Sequence, residues 1–283
     1  MRAHPAASRT NTAELIPTGA LVSFLGISFG LAWGIIALFI AWPDQMVALF
    51  GEITGDHPLF YLAVYAPAIA AFLLVLRHAG RAGLRRFLGR AMLWRCPLSW
   101  YAFLLLGIPL VFYLGAALQG NGLAGQGKEF ATVPALLAAL ALAAIKGPVE
   151  EFGWRGFALP ILQRKLAPAW CGLALGLAWG LWHFPAFLLS GTPQGAWSFA
   201  PFLLGTVAAS VIMTALYNRS QGSILLAGLC HFQLMNPVWP DAQPYDMYLF
   251  VVVACGVLWI DRERMFSRSG ALTQVVPARA DAC

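Results

Sequence analysis

The chain is organised around one stretch, Gly147-Pro148-Val149-Glu150-Glu151-Phe152-Gly153-Trp154-Arg155-Gly156-Phe157-Ala158-Leu159-Pro160. It holds two adjacent carboxylates and one arginine between apolar segments, where a charge persists only if it is paired or used. If the stretch is helical, Glu151 and Arg155 lie on one face and can form an ion pair, whereas Glu150 points about 100° away and is left outside that pair. The alternative is that these charges only mark the end of a membrane helix.

Composition sets the class of protein. Hydrophobic residues make up 60% of the 283 residues and charged residues only 11%, with a mean hydropathy of +0.71. Soluble domains carry about 25% charged residues, so we expect an integral membrane protein of the all-α class. The formal net charge is +6, but the basic residues are spread over many loops rather than gathered on one soluble surface. We therefore expect no nucleic-acid partner.

Apolar segments predict a polytopic bundle of about eight transmembrane helices, because a helix needs about 20 mainly apolar residues to cross a bilayer. The predicted spans are residues 20–42, 58–76, 98–118, 133–151, 167–190, 199–217, 223–235 and 245–260. The seventh predicted span is short and polar for a membrane helix. The apolar residues 157–162 indicate that the fourth helix continues past the two glutamates. The chain is thus predicted to form one membrane domain, residues 20–260, with an N-terminal tail at residues 1–19 and a C-terminal tail at residues 261–283. We expect the C-terminal tail to be weakly ordered after Ser267.

The basic residues predict the orientation of this bundle. If the N-terminus is inside, sixteen of the 18 lysines and arginines fall in or beside inside segments, whereas the outside loops are acidic. This is the distribution that the positive-inside rule requires. We therefore expect a bacterial-type inner (plasma) membrane protein with both termini in the cytoplasm. The arginine-rich connection at residues 77–95 should lie on the inner surface, against anionic lipid.

The fifth span carries a histidine on a face of small residues. Its glycines recur every four positions, at Gly172, Gly176 and Gly180. Such a face allows another helix to pack closely, and His183 continues it toward the bundle interior. By itself, His183 is also typical of a hydrogen-bonded packing residue. We interpret Trp179 and Trp182 as packing and interface aromatics.

A third polar group follows in the seventh span, where His231 lies in an apolar stretch close to Gln233 and Asn236. Buried groups on three separate spans must satisfy one another, because lipid offers no partners. Together they comprise carboxylates that can accept a proton from water, imidazoles that can orient the water, and an amide that can stabilise an oxyanion. Peptide-bond hydrolysis without a serine or thiol nucleophile fits these groups. The five cysteines show no C-x-x-C spacing, so neither a disulfide nor a thiolate metal site is expected.

These residues resemble the three signature motifs of the CPBP (Abi) family of intramembrane proteases, which includes the type II CAAX prenyl endopeptidases and bacteriocin self-immunity proteins. The motifs are a Glu-Glu-x-x-x-Arg block at Glu150, Glu151 and Arg155, an aromatic-x-x-x-His block at Trp179 and His183, and the later His231. They fall within residues 147–236, and the first three predicted helices carry no signature.

The resemblance implies a glutamate-dependent endopeptidase in which Glu150 and His183 activate the water. The second glutamate and the arginine, Glu151 and Arg155, are then an ion pair that holds the site or a pair that meets the substrate backbone.

The resemblance further implies that His231 and an asparagine four residues later stabilise the oxyanion. In this chain Met235 occupies that position and Asn236 follows it. Three explanations stay open: the helix loosens there so that Asn236 takes the role, Gln233 substitutes, or the oxyanion site is degraded.

A zinc site at Glu150, His183 and His231 is an alternative, but no His-Glu-x-x-His pair lies on one helix. We therefore expect an enzyme without metal or cofactor. The leading hypothesis is an intramembrane endopeptidase that cleaves a membrane-embedded or lipidated, CAAX-like peptide. The second hypothesis is a non-catalytic membrane scaffold or a bacteriocin-immunity-type binding protein. A transporter ranks third, because no paired broken helices recur in two matching halves.

Overall fold

The computed structural model describes residues 16–120 and 130–278, and the secondary structure of these ranges is entirely helical, as predicted. Its α-helices are α1 (Ala20–Ala41), α2 (Pro43–Phe50), α3 (Pro58–Val64), α4 (Ala66–Leu88), α5 (Leu98–Ala102), α6 (Ile108–Leu118), α7 (Val133–Glu151), α8 (Leu159–Leu162), α9 (Pro168–Trp182), α10 (Phe199–Arg219), α11 (Ile224–Leu234), α12 (Tyr245–Ile260) and α13 (Arg262–Met265). Short 3₁₀ turns lie at Gly89–Met92, Phe184–Leu188 and Pro193–Ala196, and π-helical segments at Phe103–Gly107 and Phe152–Ala158. Most of the predicted N-terminal tail and residues 279–283 lie outside the described residues.

Within the described ranges, five helices are long and apolar enough to cross a membrane. They are Ala20–Ala41, Leu98–Leu118, Val133–Leu162, Pro168–Leu188 and Phe199–Arg219. A bent pair, Pro58–Val64 with Ala66–Met92, makes a sixth if it is one span. The seventh and eighth predicted spans are helices of only 11 and 16 residues. Because 11 residues reach only about 17 Å along a helix axis, the predicted count of eight is not confirmed.

The arginine-rich connection after the second predicted span begins with a bend inside α4. Gly80 has a φ of +63°, a backbone conformation that glycine adopts readily and other residues rarely. Beyond it the helix is amphipathic: Arg81 and Arg85 are exposed, whereas Gly83 and Phe87 are buried. The arginines therefore form an exposed face at this end of the bundle.

The glycine face of α9 packs closely against α10, as predicted. A Cβ atom added at Gly172 would lie 2.9 Å from the Cα of Val211, and one added at Gly176 would lie 2.7 Å from the Cα of Val207. Any larger side chain would force the two helices apart. This close packing fixes the C-terminal end of α9, where His183 follows.

The fourth predicted helix continues well beyond residue 151. The helix α7 passes into the π-helical segment Phe152–Ala158 and then into α8, which gives a continuous apolar helix of 30 residues, Val133–Leu162. The predicted end at residue 151 was wrong, whereas the prediction that the helix continues past the glutamates is confirmed. Glu150 and Glu151 therefore lie inside a membrane helix rather than at its end.

The C-terminal segment packs against the bundle, so the expectation of a weakly ordered tail is wrong for residues 268–278. Val275 is only 1% exposed, and its carbonyl accepts a hydrogen bond of 3.0 Å from Nη1 of the buried Arg90. Nε2 of Gln163 donates to the carbonyl of Leu272 at 2.8 Å. The side chain of Arg90 also donates to the carbonyl of Gly222 and to the hydroxyl of Tyr217. This segment closes one end of the bundle because its carbonyls satisfy buried donors.

Candidate active site

The predicted site residues surround one cavity. Its volume is about 490 Å³, and Glu150, His183, His231 and Asn236 all line it. The rest of the wall is largely apolar and aromatic, with Trp179, Trp182, Trp197, Phe202, Trp239 and Phe250. The structure thus brings together four side chains from α7, the end of α9, and α11 with the turn that follows it.

Glu150 is held by two tryptophans. The side chain is buried, with 3% exposure, and its Oε2 accepts hydrogen bonds from Nε1 of Trp179 at 2.9 Å and from Nε1 of Trp154 at 3.3 Å. Its Oε1 has no hydrogen-bond partner among the described residues. Glu150 makes no ion pair with Arg155, which agrees with the predicted divergence of the two glutamates. One carboxylate oxygen is therefore anchored and the other is left for the cavity.

Glu151 joins an arginine and a histidine behind the cavity. The predicted ion pair is confirmed: Nη1 of Arg155 lies 3.2 Å from both carboxylate oxygens, and both side chains are fully buried. Oε1 of Glu151 also lies 2.7 Å from Nδ1 of His231. Because a carboxylate accepts, Nδ1 of His231 carries the proton, and Nε2 is left without a hydrogen-bond partner among the described residues.

His183 is oriented by the backbone of its own helix. Its Nδ1 lies 2.8 Å from the carbonyl oxygen of Trp179, so Nδ1 donates and Nε2 is left to accept. The ring lies against Trp182, at a centroid distance of 4.8 Å, and against Phe202, at 5.2 Å. These contacts fix the imidazole at the cavity wall.

Trp179 connects all of these groups, so its interpretation as a packing residue was incomplete. Its indole N–H donates to Glu150, and its ring centroid lies 5.8 Å from that of His183 and 5.1 Å from that of His231. The guanidinium of Arg155 lies over the same ring, 4.5 Å from its centroid, within cation–π range. The signal that could have identified it is the indole N–H, which needs an acceptor in apolar surroundings.

Asn236 reaches the cavity because α11 ends at Leu234. Its Nδ2 donates to Oε1 of Gln233 at 2.9 Å, and its Oδ1 accepts from the backbone N–H of Val238 at 3.1 Å. Gln233 in turn donates to the carbonyl of Leu104 at 2.8 Å. The helix does loosen before Asn236, and Gln233 holds the asparagine rather than lining the cavity itself.

Gly147 allows α7 and α11 to approach each other at the site. A Cβ atom added there would lie 2.7 Å from both Cδ2 and Nε2 of His231, and it would also collide with Sδ of Met235. Position 147 must therefore be glycine if His231 is to pack against α7 in this orientation. The need for a glycine at this position follows from the packing of α7 against α11 and not from the local sequence.

Comparison with known proteins supports the interpretation of the motifs. Residues 132–235 match the family model described as type II CAAX prenyl endopeptidase, Rce1-like. The resemblance to the CAAX prenyl endopeptidases is confirmed. This segment contains the glutamates, the arginine and both histidines, and Asn236 lies one residue beyond it.

A protein named as a CAAX prenyl protease is similar to a larger part of the chain. The chain is 28% identical over 182 residues to CAAX prenyl protease 2 of Methanococcus maripaludis. The match covers 60% of this chain and 65% of that protein, so the chain spans slightly less than two thirds of the length of the relative. The similarity thus covers more residues than the segment 132–235 that matches the family model.

The donor groups around the cavity bear on the zinc alternative. Glu150, His183 and His231 share the cavity, but no group of three or more His, Cys, Asp or Glu side chains in the described part of the chain has an arrangement that could hold a metal ion. Glu150 and His231 already use one atom each for hydrogen bonds to protein groups. The absence of a metal or cofactor stays a prediction.

Proposed function

We propose that this integral membrane protein is an intramembrane endopeptidase in which Glu150 activates a water molecule that cleaves a membrane-associated or lipidated, CAAX-like peptide. The observation that carries the proposal is the single cavity lined by Glu150, His183, His231 and Asn236. The match of residues 132–235 to the CAAX prenyl endopeptidases supports the reaction class.

The chemistry follows from the atoms that face the cavity. Oε1 of Glu150 takes a proton from water, and the water oxygen bonds to the scissile carbonyl carbon. Nε2 of His183 accepts a hydrogen bond from the same water and orients it. The C–N bond then breaks, and Glu150 returns the proton to the leaving amine nitrogen. The oxyanion exists after the water oxygen has bonded to the carbonyl carbon and before the C–N bond breaks. It accepts hydrogen bonds from Nδ2 of Asn236 and, when the imidazole carries a second proton, from Nε2 of His231.

Glu151 and Arg155 act as positioning residues in this proposal. Both are fully buried behind the cavity wall, where neither lines the cavity. The carboxylate of Glu151 fixes the tautomer and orientation of His231, and Arg155 neutralises that carboxylate. This supports the ion-pair alternative over direct contact with the substrate backbone.

The walls of the cavity suit an apolar substrate group. Its aromatic side chains offer wide apolar surfaces, and about 490 Å³ is within the size range of sites for small ligands. A lipid chain or the apolar residues beside the scissile bond fit this lining. Substrate would reach the site from the bilayer, in a bacterial-type inner membrane with both termini in the cytoplasm.

The test is cleavage of a lipidated CAAX reporter peptide by the purified full chain. Glu150→Gln keeps the side-chain shape but removes the base, so cleavage should fall by about 10²–10⁴-fold. The matched control is Glu263→Gln, at an exposed position in α13. Glu150→Gln protein that stays folded and cleaves at the wild-type rate would refute the proposed role.

A second experiment addresses the metal. The proposal expects that a strong chelator leaves cleavage unchanged. Loss of cleavage with the chelator, followed by recovery with added zinc, would instead assign Glu150, His183 and His231 as zinc ligands.

One observation favours the alternative of a non-catalytic binding protein or bacteriocin-immunity-type protein. Asn236 lies one position beyond the expected site, and its amide is already hydrogen-bonded to Gln233. If the chain only binds a membrane peptide, the double variant Glu150→Gln with His183→Ala should retain its binding or immunity function. Loss of that function together with peptide cleavage would exclude this alternative.

A further inference from the structure

Two glutamine side chains line the cavity in addition to the groups that the proposed reaction uses. Gln194 lies in the 3₁₀ turn Pro193–Ala196, and Gln243 lies in the connection between α11 and α12. Neither side-chain amide has a hydrogen-bond partner among the described residues, and Oε1 of Gln194 and Nε2 of Gln243 are buried. A buried amide without a partner is costly, so such groups are normally paired. Both amides are therefore available to a ligand of the cavity.

The turn that carries Gln194 is fixed beside His183. The side chain of Thr192 caps this turn at its start. The backbone N–H of Trp197 donates to the carbonyl of Gln194 at 3.0 Å, and the ring of Trp197 stacks on Phe202 at a centroid distance of 6.1 Å. Phe202 in turn contacts the ring of His183 at 5.2 Å. Gln194 thus belongs to the wall that holds the imidazole.

The backbone of Gln243 is fixed on both sides. Its N–H donates to Oδ1 of Asp241 at 3.3 Å, and its carbonyl accepts a hydrogen bond from Nε2 of Gln119, which follows α6. The same connection contains Asn236, which also lines the cavity. Because the backbone is held, only the side chain of Gln243 has to turn toward a ligand. The terminal torsion of a glutamine is broad and allows this rotation.

A side-chain amide matches the groups of a peptide main chain. Its carbonyl oxygen accepts from a peptide N–H, and its NH₂ group donates to a peptide carbonyl. A peptide that enters the cavity loses the water around its own N–H and C=O groups, which then need partners. Most of the wall is apolar or aromatic and offers no such partner. The two glutamine amides supply both kinds of hydrogen bond.

We propose that Gln194 and Gln243 bind the main chain of the substrate peptide beside the bond that is cleaved. That this peptide is a substrate rests on the proposed function, whereas binding of a peptide main chain rests on the two amides. A helical peptide already pairs its N–H and C=O groups internally, so only an extended peptide offers them. The ligand class is thus an extended peptide, bound through main-chain groups that are the same for every side chain.

The first test measures binding and needs no cleavage. The full chain with Glu150→Gln is purified in detergent and titrated with a fluorescent, lipidated CAAX peptide, alone and with Gln194→Leu or Gln243→Leu added. Leucine is close to glutamine in size but makes no hydrogen bond. We expect each leucine substitution to raise Kd by about 3–10-fold. The matched control is Gln45→Leu, at an exposed position of α2 outside the cavity, which should leave Kd unchanged.

The second test identifies the contacted peptide groups. Versions of the same peptide carry one N-methyl group at successive positions around the scissile bond, so that each lacks one N–H. We expect a position at which N-methylation raises Kd by about 5–100-fold. At that position the loss should shrink at least about threefold in the Gln194→Leu or the Gln243→Leu protein. A substitution that only loosens the fold weakens every peptide alike and gives no such coupling.

Unchanged Kd in both leucine variants, N-methyl effects that are identical in all proteins, or no binding by any protein would each overturn the inference. If a leucine variant does not fold, as judged by thermal unfolding, Gln194→Met or Gln243→Met takes its place. Cleavage by the wild-type chain is measured separately. Coupled binding without cleavage would count against the peptidase function and leave the main-chain site in place. Cleavage without coupling would do the opposite.

Discussion

Replacement of Glu151 by glutamine should destabilise this protein more than any surface charge substitution. Glu151 and Arg155 are both 0% exposed, 3.2 Å apart, and no other carboxylate among the described residues pairs with Arg155. Glutamine keeps the shape but leaves the guanidinium as an unpaired buried cation. Removal of one partner from such a pair typically costs about 3–5 kcal/mol. The aromatic face of Trp179 offsets about 1–2 kcal/mol at most.

The measurement is a double-mutant cycle on the purified chain in detergent, with reversible unfolding as the readout. Glu151→Gln, Arg155→Met and the combined variant are compared, because methionine keeps much of the arginine stem without its charge. We expect the combined variant to be more stable than Glu151→Gln alone, since it contains no unpaired charge. The control is Asp261→Asn, which breaks a partly exposed pair with Arg219 and should cost at most about 1 kcal/mol.

Two results would refute this reasoning. One is a loss below about 1 kcal/mol for Glu151→Gln, which would mean that the pair is hydrated or unimportant for folding. The other is strict additivity in the cycle, which would mean that Glu151 and Arg155 do not stabilise each other.

Two further predictions concern the cavity wall and are measured by reporter cleavage and thermal unfolding. Trp179→Phe removes the 2.9 Å hydrogen bond to Glu150 but keeps an aromatic ring, so cleavage should fall by about 10–150-fold, the equivalent of about 1.5–3 kcal/mol. The control is Trp182→Phe, which should lower cleavage less because the indole N–H of Trp182 donates to the carbonyl of Ser28 and not to Glu150. Equal effects of the two substitutions would contradict the role of the Trp179 indole N–H. Gly147→Ala places a methyl group 2.7 Å from the His231 ring, so the free energy of unfolding should fall by about 1–3 kcal/mol and cleavage should fall with it. Wild-type stability and cleavage would show that α7 and α11 can move apart at little cost.

Much of the site was predictable because its geometry is local to one helix. The Glu151–Arg155 ion pair follows from a spacing of four residues, and the divergence of Glu150 follows from the helical rotation between neighbours. The glycine face of α9 was predictable for the same reason. Each of these features needs only the helical period and an apolar environment.

The partners of the site residues were not predictable, because they come from other helices. Oε2 of Glu150 accepts from Trp179, 29 positions further along the chain, and His231 binds Glu151 across 80 positions. Periodicity identifies the face on which a side chain lies, but it does not say which helix packs there. Asn236 reaches the cavity only because α11 ends at Leu234, and helix ends are poorly marked where apolar residues continue.

The sequence by itself determined that this is an all-helical integral membrane protein, which residues bear charge within it, and which segments carry the motifs, because the bilayer requires long apolar helices and makes every intramembrane charge conspicuous. Only the tertiary structure decided that these side chains lie around one cavity, that Trp179 contacts them, and that the C-terminal segment closes one end of the helix bundle. Those outcomes depend on which helices contact each other, and contacts between helices far apart in the chain are fixed by packing rather than by any local pattern.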